Sequence, residues 1–322
     1  MSRFLVSIIL IPVGLITGYL LNNLIGSRIN TGSLRKNLQK IALLGMNPIA
    51  FLGAVWILPI HSIDIIAIPF LGAFALFLGG ALALIIGKIR KMERNRLGAF
   101  FTLGSFTNIG SLGGLVVYGF LGEVGFTLLP FYKLLEELLY YSVGFPIART
   151  HSNYSAQEEK GQLSNRLKDP FIIAALSAIG AGLILNLSGA ERPGWYSNLN
   201  SFLIPAASFL LLVSIGLAMK VRNIKTYWRS GVWLMVIKFF VVPASVTTLG
   251  WLLGLGNIMD GLPLRVVFIL SSMPSGFISL IPPSIYDLDL DFANSCWLIV
   301  MLGLCVSLPW IAFVLRYVFP LL

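Results

Sequence analysis

The sequence predicts an all-α polytopic membrane protein: ten transmembrane helices forming two inverted five-helix repeats, with helices four and nine broken. Three observations predict it. Only 11% of the 322 residues are charged and 57% are hydrophobic, with a mean hydropathy of +0.87; a soluble domain carries about a quarter charged residues. Apolar stretches of about 20 residues, the length needed to cross the hydrocarbon core as a helix, follow one another along the whole chain. Finally, two of these stretches are interrupted by polar, Gly- and Pro-rich islands at matching positions. Written one over the other, Ser111-Leu112 falls on Ser279-Leu280, Tyr118 on Tyr286 and Glu123 on Asp291, all at one offset. Paired interruptions in the two halves of a membrane protein point to a transport site.

The ten expected spans are 4–24, 38–58, 65–87, 97–121, 124–148, 170–187, 199–219, 231–254, 262–286 and 292–319. The first begins like a signal peptide, with Arg3 before an apolar run. It continues past any small-residue cleavage pattern, so it reads as a spanning helix. The longest connection is polar and divides the ten into five plus five: residues 1–149 form the first repeat, 150–169 a cytoplasmic linker and 170–322 the second repeat. Loops after spans one, three, five and seven hold most of the 23 lysines and arginines, among them Arg35, Lys36, Lys88, Lys91, Arg149, Lys168 and Arg222. The positive-inside rule then puts those loops in the cytoplasm and both termini outside, in the plasma (inner) membrane. Five spans per half make the second half enter from the opposite side, so the repeat is inverted.

The first island runs Ser105-Phe106-Thr107-Asn108-Ile109-Gly110-Ser111-Leu112-Gly113-Gly114. Backbone released from a helix in hydrocarbon must find partners in protein or in a water-filled cavity. Asn108 supplies a donor and an acceptor, and the glycines let the chain unwind or be closely approached. Tight helix packing would explain the glycines alone, but not Asn108 or the second island. That island, residues 271–283, holds Ser275, Gly276 and Ser279 with Pro274, Pro282 and Pro283, each expected to disturb a helix. In span five, Lys133 can reach Glu136 at i+3 and Glu137 at i+4. One carboxylate is left over to carry a proton, with a structural ion pair as the equal alternative. Lys238 in span eight could attract an anion or snorkel to the cytoplasmic edge, the latter slightly favoured.

Other chemistry finds less support. Asp287, Asp289 and Asp291 could hold magnesium in a membrane-embedded enzyme, but no second Asp-rich cluster faces them, so a helix-end cap and solvated turn is favoured. Cys296 and Cys305 lack the spacing of a metal or redox site. His61 and His151 fall in loops with no sequence-evident partner, and no phosphate loop is present. The net charge of +10 follows from cytoplasmic loops and gives no support to nucleic-acid binding.

Asn108-Ile109-Gly110-Ser111-Leu112-Gly113 followed by Gly122-Glu123 resembles the asparagine-glycine motif and acidic turn of the auxin efflux carrier family, which includes bacterial organic-acid transporters. Met273-Pro274-Ser275-Gly276 through Tyr286, Asp291 and Ser307-Leu308-Pro309 is similar to the family's C-terminal signature in order and spacing. The resemblance implies the crossover fold shared with bile-acid/sodium symporters, built from a scaffold and a transport domain whose broken helices cross at the midplane. It also implies small carboxylate substrates such as auxin, malate or malonate, with Asn108 as a binding residue. The chain departs from the family's pattern at Gly114-Leu115, where a proline usually follows the first motif, at Ser279, where plant members have proline, and in the charged segment of Lys133, Glu136 and Glu137.

Together these features lead us to expect a secondary carrier of a small organic anion working by alternating access. Thr107, Asn108, Gly110, Ser111, Ser275, Gly276 and Ser279 are expected to bind substrate, and Lys133, Glu136 and Glu137 to set charge or couple. Gly113, Gly114, Pro274, Pro282 and Pro283 would shape the crossover. No catalytic residue, metal ligand or resident cofactor is expected. The coupling ion is open between proton and sodium, the latter suited by the hydroxyls of Ser105, Thr107, Ser271 and Ser272. The partners are the anion and the lipid bilayer, and a homodimer is left open. The alternatives are the magnesium-dependent enzyme and a sensor that binds without transporting.

Overall fold

A computed structural model describes residues 3–26, 30–58, 66–152, 170–219, 221 and 224–321. Among them the regular structure is helical; the one β-type pairing is an isolated antiparallel bridge between Thr107 and Ser275. Seven helical stretches are long and apolar enough to cross a membrane: Leu5–Leu24, Thr31–Trp56, Ala67–Ile89, Ile109–Phe126, Trp195–Gly216, Ile224–Leu252 and Leu290–Val318. A shorter apolar helix covers Ile173–Leu187. The linker expected at 150–169 lies outside the described residues from 153 onward, as does His61.

The helices cluster into two compact units that interleave along the chain. The first comprises Met1–Ile63, Ile109–Phe131 and Leu167–Met219. Its Arg3–Ile25 helix lies directly on Trp195–Gly216. Close approach is set by glycine on both sides: a Cβ on Gly18 would lie 2.8 Å from the Gly216 Cα, and one on Gly216 would lie 2.9 Å from the Gly18 Cα. Lipid offers no hydrophobic drive for helices to associate, so backbone-to-backbone contact through small residues supplies the dispersion energy instead. The Thr31–Trp56 stretch starts with Asn30, whose side chain accepts from the Ser33 N–H at 2.9 Å. Its last carbonyls are capped from another helix: the Asn186 amide donates to the oxygens of Trp56 at 2.8 Å and Leu58 at 2.7 Å. Helix ends in an apolar environment need such partners.

The second unit comprises Asp64–Asn108, Tyr132–Arg166 and Lys220–Leu322. Ala67–Ile89 packs along Arg94–Ser105 through Gly79 and Gly104; a Cβ on Gly104 would stand 2.5 Å from that of Ala83. Ser105 closes the contact by donating to the Leu76 carbonyl at 3.0 Å. Arg94–Ser105 then stops, residues 106–108 are non-helical, and a wider turn begins at Ile109. Likewise Leu262–Ser271 stops before a non-helical stretch, and a 3₁₀ turn at Phe277–Leu280 leads into the short helix Ile281–Ile285. Pro282 starts that short helix instead of breaking one, because the first turn has no use for its missing N–H. The segment expected as span five is made of short pieces: Leu129–Lys133, Glu136–Leu139, a π-turn at Tyr140–Gly144, and Phe145–Thr150.

Candidate functional site

The second unit brings two interrupted segments together as a minimal two-stranded crossing. The Asn108 N–H donates to the Pro274 carbonyl at 2.8 Å and the Gly276 N–H to the Phe106 carbonyl at 3.0 Å, on either side of the Thr107–Ser275 bridge. These bonds satisfy backbone that would otherwise be stranded in a buried, apolar setting. Side chains reinforce them. The Ser275 hydroxyl donates to the Leu103 carbonyl at 2.6 Å, the Thr102 hydroxyl to the Ser279 carbonyl at 2.9 Å, and the Trp297 indole N–H to the Ser275 carbonyl at 3.0 Å. Gly276 is required by contact: a Cβ there would lie 2.7 Å from the Thr107 carbonyl oxygen. The Ser279 hydroxyl turns back to the Gly276 carbonyl at 2.6 Å. Ser275 and Ser279 thus spend their hydrogens holding the crossing.

Around it the sequence has placed charge. Lys238, on the π-turn Ile237–Val241, is only 1% exposed. Its ammonium donates to the Thr107 hydroxyl oxygen at 2.6 Å and points to the Ser105 carbonyl at 3.5 Å. The expected snorkelling does not occur. Ser105 is the last residue of its helix, and the unsatisfied carbonyl end of a helix carries partial negative charge, which draws a cation inward. Both of these partners are neutral groups. Between residues 105 and 109 only Thr107 is not buried. Its hydroxyl accepts from Lys238 and keeps its own hydrogen to donate.

On the other side of Thr107, its backbone N–H donates to the Tyr140 hydroxyl at 3.1 Å, and that hydroxyl donates to the Glu136 carboxylate. The Tyr140 ring packs on Phe106 with centroids 4.3 Å apart, which fixes the phenol. Glu136 is buried, and Lys133 lies 3.9 Å from it but 3.2 Å from Glu137. The expected ion pair therefore forms mainly with Glu137. Tyr140 was not singled out from the sequence. Its partner Glu136 is one helical turn away and could have suggested it; the contact with Thr107, 33 residues off, could not.

Asn108 is buried at the end of the crossing. Gly110, Ser111 and Gly113 lie in the turn Ile109–Gly113 and Gly114 opens the following helix; all four fall in the first compact unit. There, a Cβ on Gly114 would touch Phe126 at 3.1 Å and Leu129 at 3.2 Å.

A second polar centre, missed in the sequence, lies wholly within the first unit. Gly122 breaks the Gly114–Phe126 helix with φ 69°, a value that favours glycine, and releases Glu123. Arg192 donates to both carboxylate oxygens of Glu123, one contact at 3.2 Å, to the Gly53 carbonyl at 2.7 Å and to the Ser197 hydroxyl at 2.6 Å. The Asn200 amide donates to the same carboxylate at 2.7 Å.

Of the aspartates at the other end of the ninth span, Asp289 is used structurally. Asp289 caps Leu290–Leu302 by accepting from the Phe292 N–H at 2.9 Å, and also takes a 2.8 Å bond from Arg96. That hydrogen bond raises the Arg96 pKa above its ordinary value. Among the described residues, no three His, Cys, Asp or Glu side chains stand together as a metal site.

The chain is similar to two archaeal proteins named as transporters. The chain shares 27% identity over 238 residues with an uncharacterized transporter of Methanocaldococcus jannaschii, covering 72% of this chain and 73% of that protein. It shares 24% identity over 246 residues with an uncharacterized transporter of Methanothermobacter thermautotrophicus, covering 76% and 77% respectively. Residues 60–312, which include both interrupted segments, Lys238 and the Lys133–Glu137 stretch, match the family described as membrane transport protein, and the chain belongs to that family, the auxin efflux carriers.

Proposed function

We propose that this protein is a secondary carrier moving a small organic anion by alternating access, and that Lys238, Thr107 and Asn108 hold the anion's carboxylate. The observation that carries the proposal is the buried Lys238 ammonium whose hydrogen-bond partners, Thr107 and Ser105, are both neutral. Burying an ammonium costs several kcal/mol unless charge and hydrogen bonds compensate it, and ionisable groups inside membrane helices mark transport pathways by default. A carboxylate arriving beside Thr107 gives the ammonium a charged partner in direct contact. It accepts one hydrogen bond from the ammonium and one from the Thr107 hydroxyl, whose own oxygen is already engaged by Lys238. Asn108 adds an amide donor. The non-helical backbone at 106–108 and 274–276 interrupts both helices beside these groups.

Ten spans in two inverted repeats, residues 1–149 and 170–322, are the topology we assign to the chain. In it both interrupted segments occupy equivalent places, and both termini lie outside the plasma membrane.

The test is equilibrium binding and counterflow of labelled malate and indole-3-acetate with purified, reconstituted protein, comparing wild type with Lys238→Met. Loss of a buried, hydrogen-bonded charge from a charged ligand removes about 2–5 kcal/mol, so binding is expected to weaken by about 30-fold or more. An elution profile identical to wild type shows that the variant is folded. Unchanged affinity in a folded Lys238→Met protein rules out this site.

A further inference from the structure

The charged groups around the crossing are balanced before any substrate arrives. Two cations, Lys133 and Lys238, accompany two carboxylates, Glu136 and Glu137. Lys133 and Glu137 are each about a third exposed and form the closer pair at 3.2 Å. The Lys133 ammonium also stands 3.9 Å from Glu136, so two carboxylates share it, and buried Lys238 supplies the second positive charge that balances buried Glu136. Lys238 and Glu136 do not touch. A hydrogen-bonded path connects them: Glu136 accepts from the Tyr140 hydroxyl, which accepts from the Thr107 N–H, and the Thr107 hydroxyl accepts from Lys238. Other groups do little to change the balance. The residues of the Glu136 segment that face it are Lys133, Glu137, Tyr132 and Tyr140; the Ile237–Val241 turn contributes Lys238. The Ala67–Ile89 helix packed against Glu136–Leu139 carries no ionisable residue except Lys88, near its far end.

A substrate carboxylate bound at Lys238 upsets this neutrality. In a low-dielectric interior an uncompensated charge is costly, and one added proton removes it. We propose that Glu136 is the proton site of an anion–proton cotransport cycle, linked to the anion through Tyr140 and Thr107. This rests on the carrier function and the Lys238 site proposed above. The carboxylate claims the Lys238 charge, and Glu136, deprived of it, takes one proton from the medium on the loading side to become a neutral acid. On the opposite face the anion leaves, Lys238 again balances Glu136, and the proton is released. One proton accompanies each substrate molecule, and no charge stays behind on the protein.

Two measurements test this. In proteoliposomes with the membrane potential clamped at zero, a gradient of one pH unit stores about 1.4 kcal/mol per proton and supports about tenfold accumulation of a proton-coupled solute. Wild type is expected to reach about tenfold accumulation of labelled malate, with acidification of the lumen. Glu136→Gln is expected to keep malate counterflow at equal pH and to accumulate none. Glu137→Gln is expected to stay coupled. Counterflow by wild type without any response to the pH gradient overturns the proton site and leaves the carrier intact. Accumulation and acidification by Glu136→Gln also overturn it. Absence of wild-type counterflow, of malate or of indole-3-acetate, overturns the carrier function itself.

The second measurement uses unmodified protein, so it stands even if Glu136→Gln does not fold. Dicyclohexylcarbodiimide modifies buried protonated carboxyls, and peptide mass spectrometry locates the adduct. Labelling at Glu136 is expected to accelerate when malate is added, because the anion favours the protonated acid. No adduct at Glu136, or a rate indifferent to malate, contradicts the proposal.

Discussion

At the scale of single residues, the site is built by atoms that leave no room for substitution. The Gly276 Cα faces the Thr107 carbonyl so closely that a methyl group would sit 2.7 Å from the oxygen. Gly276→Ala is expected to cost about 1–3 kcal/mol through overpacking, read as a lower melting temperature in detergent. Arg192 and Glu123 are comparably exacting within the first unit, with side chains 7% and 15% exposed. Removing one partner strands a buried charge, so Arg192→Ala is expected to cost about 3–5 kcal/mol in a thermal melt. Ligand affinity measured in protein that remains folded should be unchanged, because Arg192 belongs to the polar centre of the first unit and touches none of the residues assigned to the anion. Lys238 differs from Arg192: its neutral partners leave its charge available to a ligand, whereas Arg192 is fully engaged by protein groups.

At the scale of elements, the crossing replaces a helix with four short features: the end of Arg94–Ser105, the non-helical pieces at 106–108 and 274–276, and the 3₁₀ turn Phe277–Leu280. Its side-chain staples each bond a backbone carbonyl. Ser275→Ala leaves the Leu103 carbonyl without its hydroxyl partner and is expected to cost about 1 kcal/mol, seen in the same melt. The two islands were legible in the sequence because the residues suited to irregular backbone in hydrocarbon, Gly, Ser, Asn and Pro, stand out against Leu and Ile. What they do in detail was not legible. Ser275 reads as a ligand candidate by its type but is committed to a carbonyl 172 positions away. Lys238 reads as a candidate for snorkelling because its partners, Ser105 and Thr107, lie more than a hundred residues upstream. The local pattern of Lys133, Glu136 and Glu137 was read correctly as mutually reachable, since i+3 and i+4 neighbours meet on any helix. Which carboxylate stands closer, Glu137 at 3.2 Å, is something that spacing alone does not show.

At the scale of the whole molecule, composition sufficed for the class, since so few charges can only be accommodated by a chain that lives in lipid. Orientation rests on loop charges, and it makes a direct prediction. In a Cys305→Ser background, Lys91→Cys is expected to resist an impermeant maleimide in intact cells and to react after permeabilisation, whereas Ser188→Cys reacts in both. The family assignment carries the transport function and leaves the cargo to the site. A buried ammonium, a hydroxyl with its hydrogen to give and an amide favour a carboxylate. Counterflow of labelled malate and indole-3-acetate in proteoliposomes, wild type beside Lys238→Met, tests that most directly. Exchange of at least one of the two anions by wild type, lost in the folded variant, is the expected result. Exchange that survives the loss of the Lys238 charge would contradict it.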